Sequence, residues 1–199
     1  MARPAPRGTV DRGRATRERL LGAAVELVGE VGWGEVTTRL VADRAGVRPG
    51  LVHYHFASVE DLLVTACTGM VGRMLDGVLH ELTRHDDLDA GLDWLLTELR
   101  GYTGSDPASL LLTEAFLAAS RIPRLHADLA GHVSAFRTGV AGWLRALGHT
   151  ADAAAGATVL AAAIDGFVLH RALDESLDPT ALAGPLRRML ATGRAENEE

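Results

Sequence analysis

The chain has 199 residues, of which 47% are hydrophobic, and a net charge of −6. This apolar share can build a sizeable core, and the single cysteine, Cys67, excludes an internal disulfide framework and a cysteine-based zinc finger. Gly, Arg, Asp or Glu interrupts every apolar run, and no apolar segment follows the basic N-terminus. We therefore expect no membrane association, no secretory signal and a cytoplasmic location.

The charge is unevenly distributed along the chain. Residues 1–56 hold nine Arg and six acidic residues (+3), whereas residues 57–199 hold eleven Arg and twenty acidic residues (−9). The exclusive use of Arg as the basic residue is typical of a GC-rich genome, but that bias does not explain where the charge lies. A nucleic-acid surface needs local positive charge, so this distribution favours such a surface within residues 1–56.

Apolar residues recur at helical spacing throughout, and no segment has the alternation typical of a strand. We predict an all-α protein of about nine helices, with an N-terminal three-helix domain joined by a long fourth helix to a larger helical domain. Residues 1–13 are rich in Pro, Gly and Arg and are predicted to form a flexible basic arm. Residues 195–199 are predicted to form an acidic tail.

Several helix boundaries are predicted from local chemistry. Ser58 suits the N-cap of the fourth helix, and Asp61 lies where the acidic partner of a capping box is expected. Pro107 suits the first position of the sixth helix and Pro123 that of the seventh. Gly184-Pro185 is expected to kink or delay the ninth helix.

Residues 37–56 have the pattern of a helix-turn-helix. Thr37 can cap a first helix, and Gly46 can make the tight turn, since glycine adopts a positive φ at little cost. Val52 and Phe56, four residues apart, would hold the second helix against a core and leave the residues between them facing outward. An ordinary helical hairpin within a bundle is the alternative. Two histidines and a tyrosine on the outward face argue against it.

This stretch resembles the TetR family of transcriptional regulators, whose second helix enters the major groove of DNA. The resemblance implies a DNA-binding domain over 14–74, with its helix-turn-helix at 37–56, and a ligand-binding and dimerisation domain over 75–194. The matching residues are Thr37, Val41-Ala42, Ala45-Gly46-Val47, His53-Tyr54-His55-Phe56 and Ser58-Val59-Glu60-Asp61-Leu62.

Three positions depart from the family pattern: His53 replaces the usual Tyr, Val59 the usual Lys and Arg48 the usual Ser. Arg48 could bind a phosphate or reach a guanine edge with its paired donors. The candidate DNA-binding residues are Thr37, Thr38, Arg39, Arg48, Pro49, Gly50, Leu51, His53, Tyr54 and His55.

The resemblance further implies a homodimer that binds a palindromic double-stranded DNA operator, acts as a repressor, and is released by a small apolar or amphipathic effector. We expect the eighth and ninth helices to form the dimer interface. The eighth carries a stripe of mostly small residues: Gly156, Val159, Ala163, Gly166 and His170. Burial of this alanine-rich helix within its own subunit is the alternative.

The candidate effector-binding residues are polar or large side chains on otherwise apolar helix faces. Solvated positions for Glu114 and Arg121, and a core position for His132, are the alternative. These candidates are Met70, Met74, Trp94, Glu114, Phe116, Arg121 and His132.

We expect no metal, no cofactor and no enzymatic activity. His53 and His55 are two residues apart on a helix and therefore diverge, which is poor for chelation. No phosphate-binding loop or nucleophile elbow is present. The alternative function is that of an interaction protein that keeps the fold but has lost operator binding.

Overall fold

The computed structural model describes residues 7–149 and 152–191. Nine α-helices occur within these ranges, and the predicted all-α class is confirmed. Short 3-10 helices follow α1 and α5 and precede α9. The α-helices are α1 (Arg7–Val31), α2 (Thr38–Arg44), α3 (Gly50–His55), α4 (Val59–Leu82), α5 (Leu88–Glu98), α6 (Pro107–Ala119), α7 (Pro123–Ala146), α8 (Ala153–Arg171) and α9 (Ala183–Ala191).

The N-terminal arm is shorter than predicted. Helix α1 begins at Arg7, so residues 7–13 are helical rather than flexible. No proline follows Pro6 in this stretch, and a glycine within a helix costs only about 1 kcal/mol relative to alanine. Gly8 and Gly13 therefore do not stop the helix. The rest of the arm and the predicted acidic tail at 195–199 lie outside the described residues.

The predicted delay of the ninth helix is confirmed. Asp178 caps a 3-10 helix at Pro179–Leu182, and α9 follows from Ala183. Pro185 thus lies in the first turn of α9, where its missing N–H breaks no helical hydrogen bond.

The chain forms two compact units. Within the described residues, the first comprises 7–70 and 110–126, and the second comprises 71–109, 127–149 and 152–191. Both units are therefore discontinuous in sequence. The segment 110–126 packs with the N-terminal helices, although it falls in the predicted C-terminal domain.

Each unit has its own apolar core. In the first unit, α1 to α4 and the 110–126 segment contribute fully buried side chains, among them Leu20, Val28, Val41, Val52, Leu62, Leu111 and Leu125. The core of the second unit includes Leu82, Leu92, Val140, Trp143 and Leu160. The indole N–H of Trp143 also donates a hydrogen bond of 2.9 Å to the carbonyl oxygen of His85.

Two helices are more apolar than expected. Helices α4 and α8 are each long and apolar enough, by length and composition alone, to cross a membrane, whereas we expected no run of that kind. Their few interrupting charges and glycines leave the average composition strongly apolar. Only 22% of the most apolar 18-residue segment of α8 is buried, against 44% of the corresponding segment of α4. Helix α8 therefore presents an apolar face that the described residues leave largely uncovered.

Cys67 lies on the buried face of α4, and burial raises the pKa of its thiol to about 12. At pH 8 only about one thiol in 10⁴ would be ionised, and the thiolate is the reactive form. We expect iodoacetamide to leave the native protein unmodified at pH 8 but to alkylate Cys67 in guanidinium chloride. Mass spectrometry at fixed times measures both reactions. Equal rates in the two conditions would contradict the buried position.

Candidate nucleic-acid interface

Helices α2 and α3 of the first unit form the predicted helix-turn-helix. The Thr37 side chain caps α2 by accepting a hydrogen bond of 3.3 Å from the backbone N–H three residues later. At the other end, Gly46 has a φ of +64°. The N–H groups of Gly46 and Val47 donate to the carbonyl oxygens of Asp43 and Ala42, at 3.2 and 2.9 Å. This is a Schellman motif, which requires a left-handed residue after the helix and explains the glycine.

Two apolar residues hold α3 against the core, as predicted. Val52 is fully buried and Phe56 is 4% exposed. The guanidinium of Arg17 in α1 lies over the Phe56 ring, 4.8 Å from its centroid. A cation over an aromatic face is electrostatically favourable, so this contact adds to the attachment of α3.

The candidate DNA-binding side chains lie mostly on the surface. Tyr54 is 79% exposed, and its ring meets the edge of His55 at a centroid distance of 5.0 Å. Thr38 and His55 are half-buried. The exposed candidates are Thr37, Arg39, Arg48, Pro49, Gly50, Leu51, His53 and Tyr54. The outward face of α3 is therefore available to a duplex.

The nearby arginines differ in their partners. Arg44 binds Glu26 at 3.1 Å and Glu30 at 2.6 Å, so its charge links α2 to α1. Arg39 has a loose contact of 3.8 Å with Asp43. Arg48 makes no ion pair with any other residue in the described ranges, which leaves its guanidinium available to a phosphate or a base.

The predicted Ser58 cap at the start of α4 is confirmed, and the capping box takes a variant form in which Asp61 bonds to Ala57 rather than to Ser58. The Ser58 hydroxyl accepts a hydrogen bond of 3.0 Å from the N–H of Asp61. In return, the Asp61 carboxylate accepts one of 3.1 Å from the N–H of Ala57. These reciprocal bonds set the turn between α3 and α4.

The candidate effector-binding residues are divided between the two units. Met70, Glu114, Phe116 and Arg121 belong to the first, and Met74, Trp94 and His132 to the second. In the first unit, the Glu114 carboxylate accepts a hydrogen bond of 2.9 Å from the N–H of Trp33. Phe116 is 49% exposed, and Arg121 is also exposed. Glu114 thus has a partner within the protein that the sequence did not predict.

In the second unit, His132 of α7 packs against Gly72 of α4. A Cβ atom on residue 72 would lie only 2.6 Å from the imidazole Cε1, so the glycine makes room for the ring. Trp94 lies beside His85, with a ring-centroid distance of 5.8 Å. Met74, Trp94 and His132 are all half-buried.

One residue of the predicted dimer stripe has an internal role. A Cβ atom on Gly156 would come within 2.9 Å of Leu190 in α9 and 3.4 Å of Leu144 in α7. Gly156 therefore permits close packing inside the subunit. In contrast, Gly166 has open space around it and His170 is exposed.

Comparison with known families agrees with this geometry. Residues 20–66 match the model described as bacterial regulatory proteins, tetR family. Residues 84–192, more than half of the chain, match the model described as tetracyclin repressor-like, C-terminal domain. The chain belongs to the TetR family. The family model over residues 20–66 is one of bacterial regulatory proteins, which agrees with the predicted regulator class and not with an enzyme.

The TetR-family protein has relatives among both sequences and structures. It is 37% identical over 60 residues to the HTH-type transcriptional regulator BetI of Rhizobium meliloti (strain 1021), a match that covers 30% of each chain. The chain thus spans less than a third of that curated relative.

Two solved structures share the fold of the TetR-family protein. A transcriptional regulator from Saccharomonospora viridis in complex with choline has 19% identity and a TM-score of 0.71, covering 90% of this chain and 97% of that one. FadR from Bacillus subtilis in complex with stearoyl-CoA has 18% identity and a TM-score of 0.66, covering 88% and 98%.

Proposed function

We propose that this protein is a homodimeric, ligand-responsive repressor that a small apolar or amphipathic effector releases from a palindromic operator. It would act on DNA in the bacterial cytoplasm. The outward face of α3 carries this proposal, because His53 and Tyr54 are exposed there while Val52 anchors the helix from beneath. Arg48 is exposed in the turn just before α3. A helix displayed in this way can enter a major groove with its side chains toward the base edges.

The short length of α3 supports a dimer. Helix α3 has only six residues, so one copy can contact few base pairs. A two-fold dimer would place two copies in successive major grooves, roughly 34–36 Å apart.

The uncovered face of α8 supports a dimer interface there. Leu169 is 51% exposed and Leu173, just after the helix, is 91% exposed. Met189 of α9 is 54% exposed. Contiguous exposed apolar patches mark association surfaces. We propose that α8 and α9 pack against their counterparts in a second copy, with Gly166 allowing close approach.

The effector site is proposed in the second unit, beside the half-buried His132, whose imidazole packs against Gly72 of α4. An imidazole next to an apolar helix suits an amphipathic molecule. Regulators of this fold have been crystallised with choline, a small cation, and with stearoyl-CoA, which is amphipathic. The effector would act only if it binds the DNA-released state more tightly than the DNA-bound state.

A second candidate function is that of an interaction protein without an operator. Val59 in place of the family's usual lysine, and His53 in place of its tyrosine, favour it, because valine cannot bind a phosphate and histidine has a shorter reach than tyrosine. DNA binding itself separates the two functions.

The test is selection of duplexes from a random-sequence pool with the full-length protein. We expect enrichment of a palindrome and about tenfold weaker binding by Arg48→Ala, since a good base contact contributes about 1–3 kcal/mol. If Arg48→Ala loses its sequence preference at one base-pair position only, Arg48 contacts a base edge at that position. Uniform weakening with a shallower salt dependence would assign it to a phosphate.

Arg145→Ala is the matched control, because Arg145 is exposed on α7 and has no ion pair within the described residues. Absence of any enriched sequence with the wild-type protein would overturn the regulator proposal in favour of the interaction protein.

A further inference from the structure

The segment 110–126, which comprises most of α6 and the first turn of α7, belongs to the same compact unit as the helix-turn-helix. Two of its charged side chains bind that unit at opposite ends of the helix-turn-helix. Neither contact is explained by core packing alone, because both join polar atoms at or near the surface.

The first contact is made by Glu114 in α6. Its carboxylate accepts the 2.9 Å hydrogen bond from the Trp33 N–H, in the turn that leads from α1 toward α2. Gly32, in the same turn, has a φ of +81°. Both Glu114 carboxylate oxygens lie 3.5–3.6 Å from the position that a Cβ atom on Gly32 would occupy. Glu114 therefore fixes the backbone that precedes α2.

The second contact is made by Arg124 in α7. Its guanidinium binds one oxygen of the Asp61 carboxylate at 2.5 Å. The other oxygen accepts the hydrogen bond from Ala57, which directly follows Phe56 at the C-cap of α3. A chain of two hydrogen bonds thus runs from Arg124 to the end of the recognition helix.

The electrostatics of Asp61 agree with this geometry. The hydrogen bond from Arg124 is the main cause that lowers the pKa of Asp61, and the Ala57 N–H lowers it further against the opposing effect of burial. The carboxylate is therefore ionised at neutral pH and can hold both donors. Charge-assisted hydrogen bonds of this kind are stronger than neutral ones.

We infer that Glu114 and Arg124 are positioning residues for DNA recognition, which hold the entry to α2 and the exit from α3 in one orientation. This inference rests on the proposed function. Helix α3 has six residues, too few to be stable alone, so its direction depends on tertiary contacts. Base recognition requires side chains to be placed within about 0.5 Å, which makes such attachments important.

The experiment compares two duplexes of equal length, one selected by the wild-type protein and one with that sequence scrambled. We expect Glu114→Ala and Arg124→Gln each to weaken binding to the selected duplex about five- to tenfold, a loss of roughly 1–1.4 kcal/mol. Binding to the scrambled duplex should change much less, because it depends on phosphate contacts rather than on helix orientation. Arg124→Lys keeps the charge and should restore part of the discrimination.

Amide hydrogen exchange separates positioning from general destabilisation. Arg124→Gln should speed exchange at Ala57, and Glu114→Ala should speed it at Trp33, with unchanged exchange in the core of the second unit. Arg145→Ala should change neither the exchange rates at Ala57 and Trp33 nor the ratio of the affinities for the selected and scrambled duplexes.

The outcomes distinguish this inference from the proposed function. Selection by the wild-type protein with undiminished discrimination in both variants would overturn the inference alone. Failure of the wild-type protein to select any duplex would overturn the proposed function and the inference with it.

Discussion

Replacing His53 and Tyr54 together by alanine is expected to weaken operator binding by about 100-fold or more. Each side chain projects from the outward face of α3, and Tyr54 is 79% exposed. Contacts from such positions to base edges contribute about 1–3 kcal/mol each, and two of them account for this loss. The folded protein should keep its stability, because neither side chain belongs to the buried core. Fluorescence anisotropy with the selected duplex measures the affinity.

The matched control is His80→Ala, since His80 is exposed on α4 outside the helix-turn-helix. If the double variant binds the duplex as tightly as the wild-type protein, the outward face of α3 does not contact the DNA.

Replacing Trp143 by alanine is expected to lower the free energy of unfolding by about 3–5 kcal/mol, the usual cost of deleting a buried large aromatic side chain. Trp143 is 4% exposed, and the substitution also removes the 2.9 Å hydrogen bond to the His85 carbonyl. Urea unfolding at a fixed protomer concentration measures the loss, because the proposed dimerisation would make apparent stability depend on concentration. Trp143→Phe keeps an aromatic ring in the cavity and should cost less.

The fit of Trp143 against Gly91 supplies an internal control. A Cβ atom on residue 91 would overlap Cζ2 of the indole, so Gly91→Ala should cost about 1–3 kcal/mol through overpacking. Phenylalanine lacks that part of the indole. The double variant Gly91→Ala/Trp143→Phe should therefore cost less than the two single variants added together. Strict additivity would show that the two residues do not compete for the same space.

The sequence alone determined the helix-turn-helix and its anchors. Thr37, Gly46 and Ser58 act on backbone groups within a few residues of themselves, so their roles in caps and turns can be predicted without knowing the fold. Val52 and Phe56 lie four residues apart on one helix face, and that spacing predicted their burial. The family resemblance rested on the same local features, and the matches to family models agree with it.

The sequence predicted the structure less well where the local residues are compatible with more than one conformation or neighbour. Residues 7–13 contain glycine and arginine, which weaken a helix without excluding it, and the predicted arm was too long there. Gly156 had the small side chain expected at a dimer interface. However, a small residue permits close packing with any neighbour, and here that neighbour is Leu190 of the same subunit.

Only the tertiary structure decided the partners of the charged side chains. Arg44 binds Glu30 fourteen residues away, Arg124 binds Asp61 across 63 residues, and Glu114 reaches the Trp33 amide across 81. A charged residue on a helix surface has the same sequence pattern whether it is solvated or paired. Its partner depends on which helices become neighbours, and that is set by the burial of apolar faces, which is nondirectional. The packing of residues 110–126 with the helix-turn-helix, and with it the placement of Glu114 and Arg124, could therefore emerge only once the chain had folded.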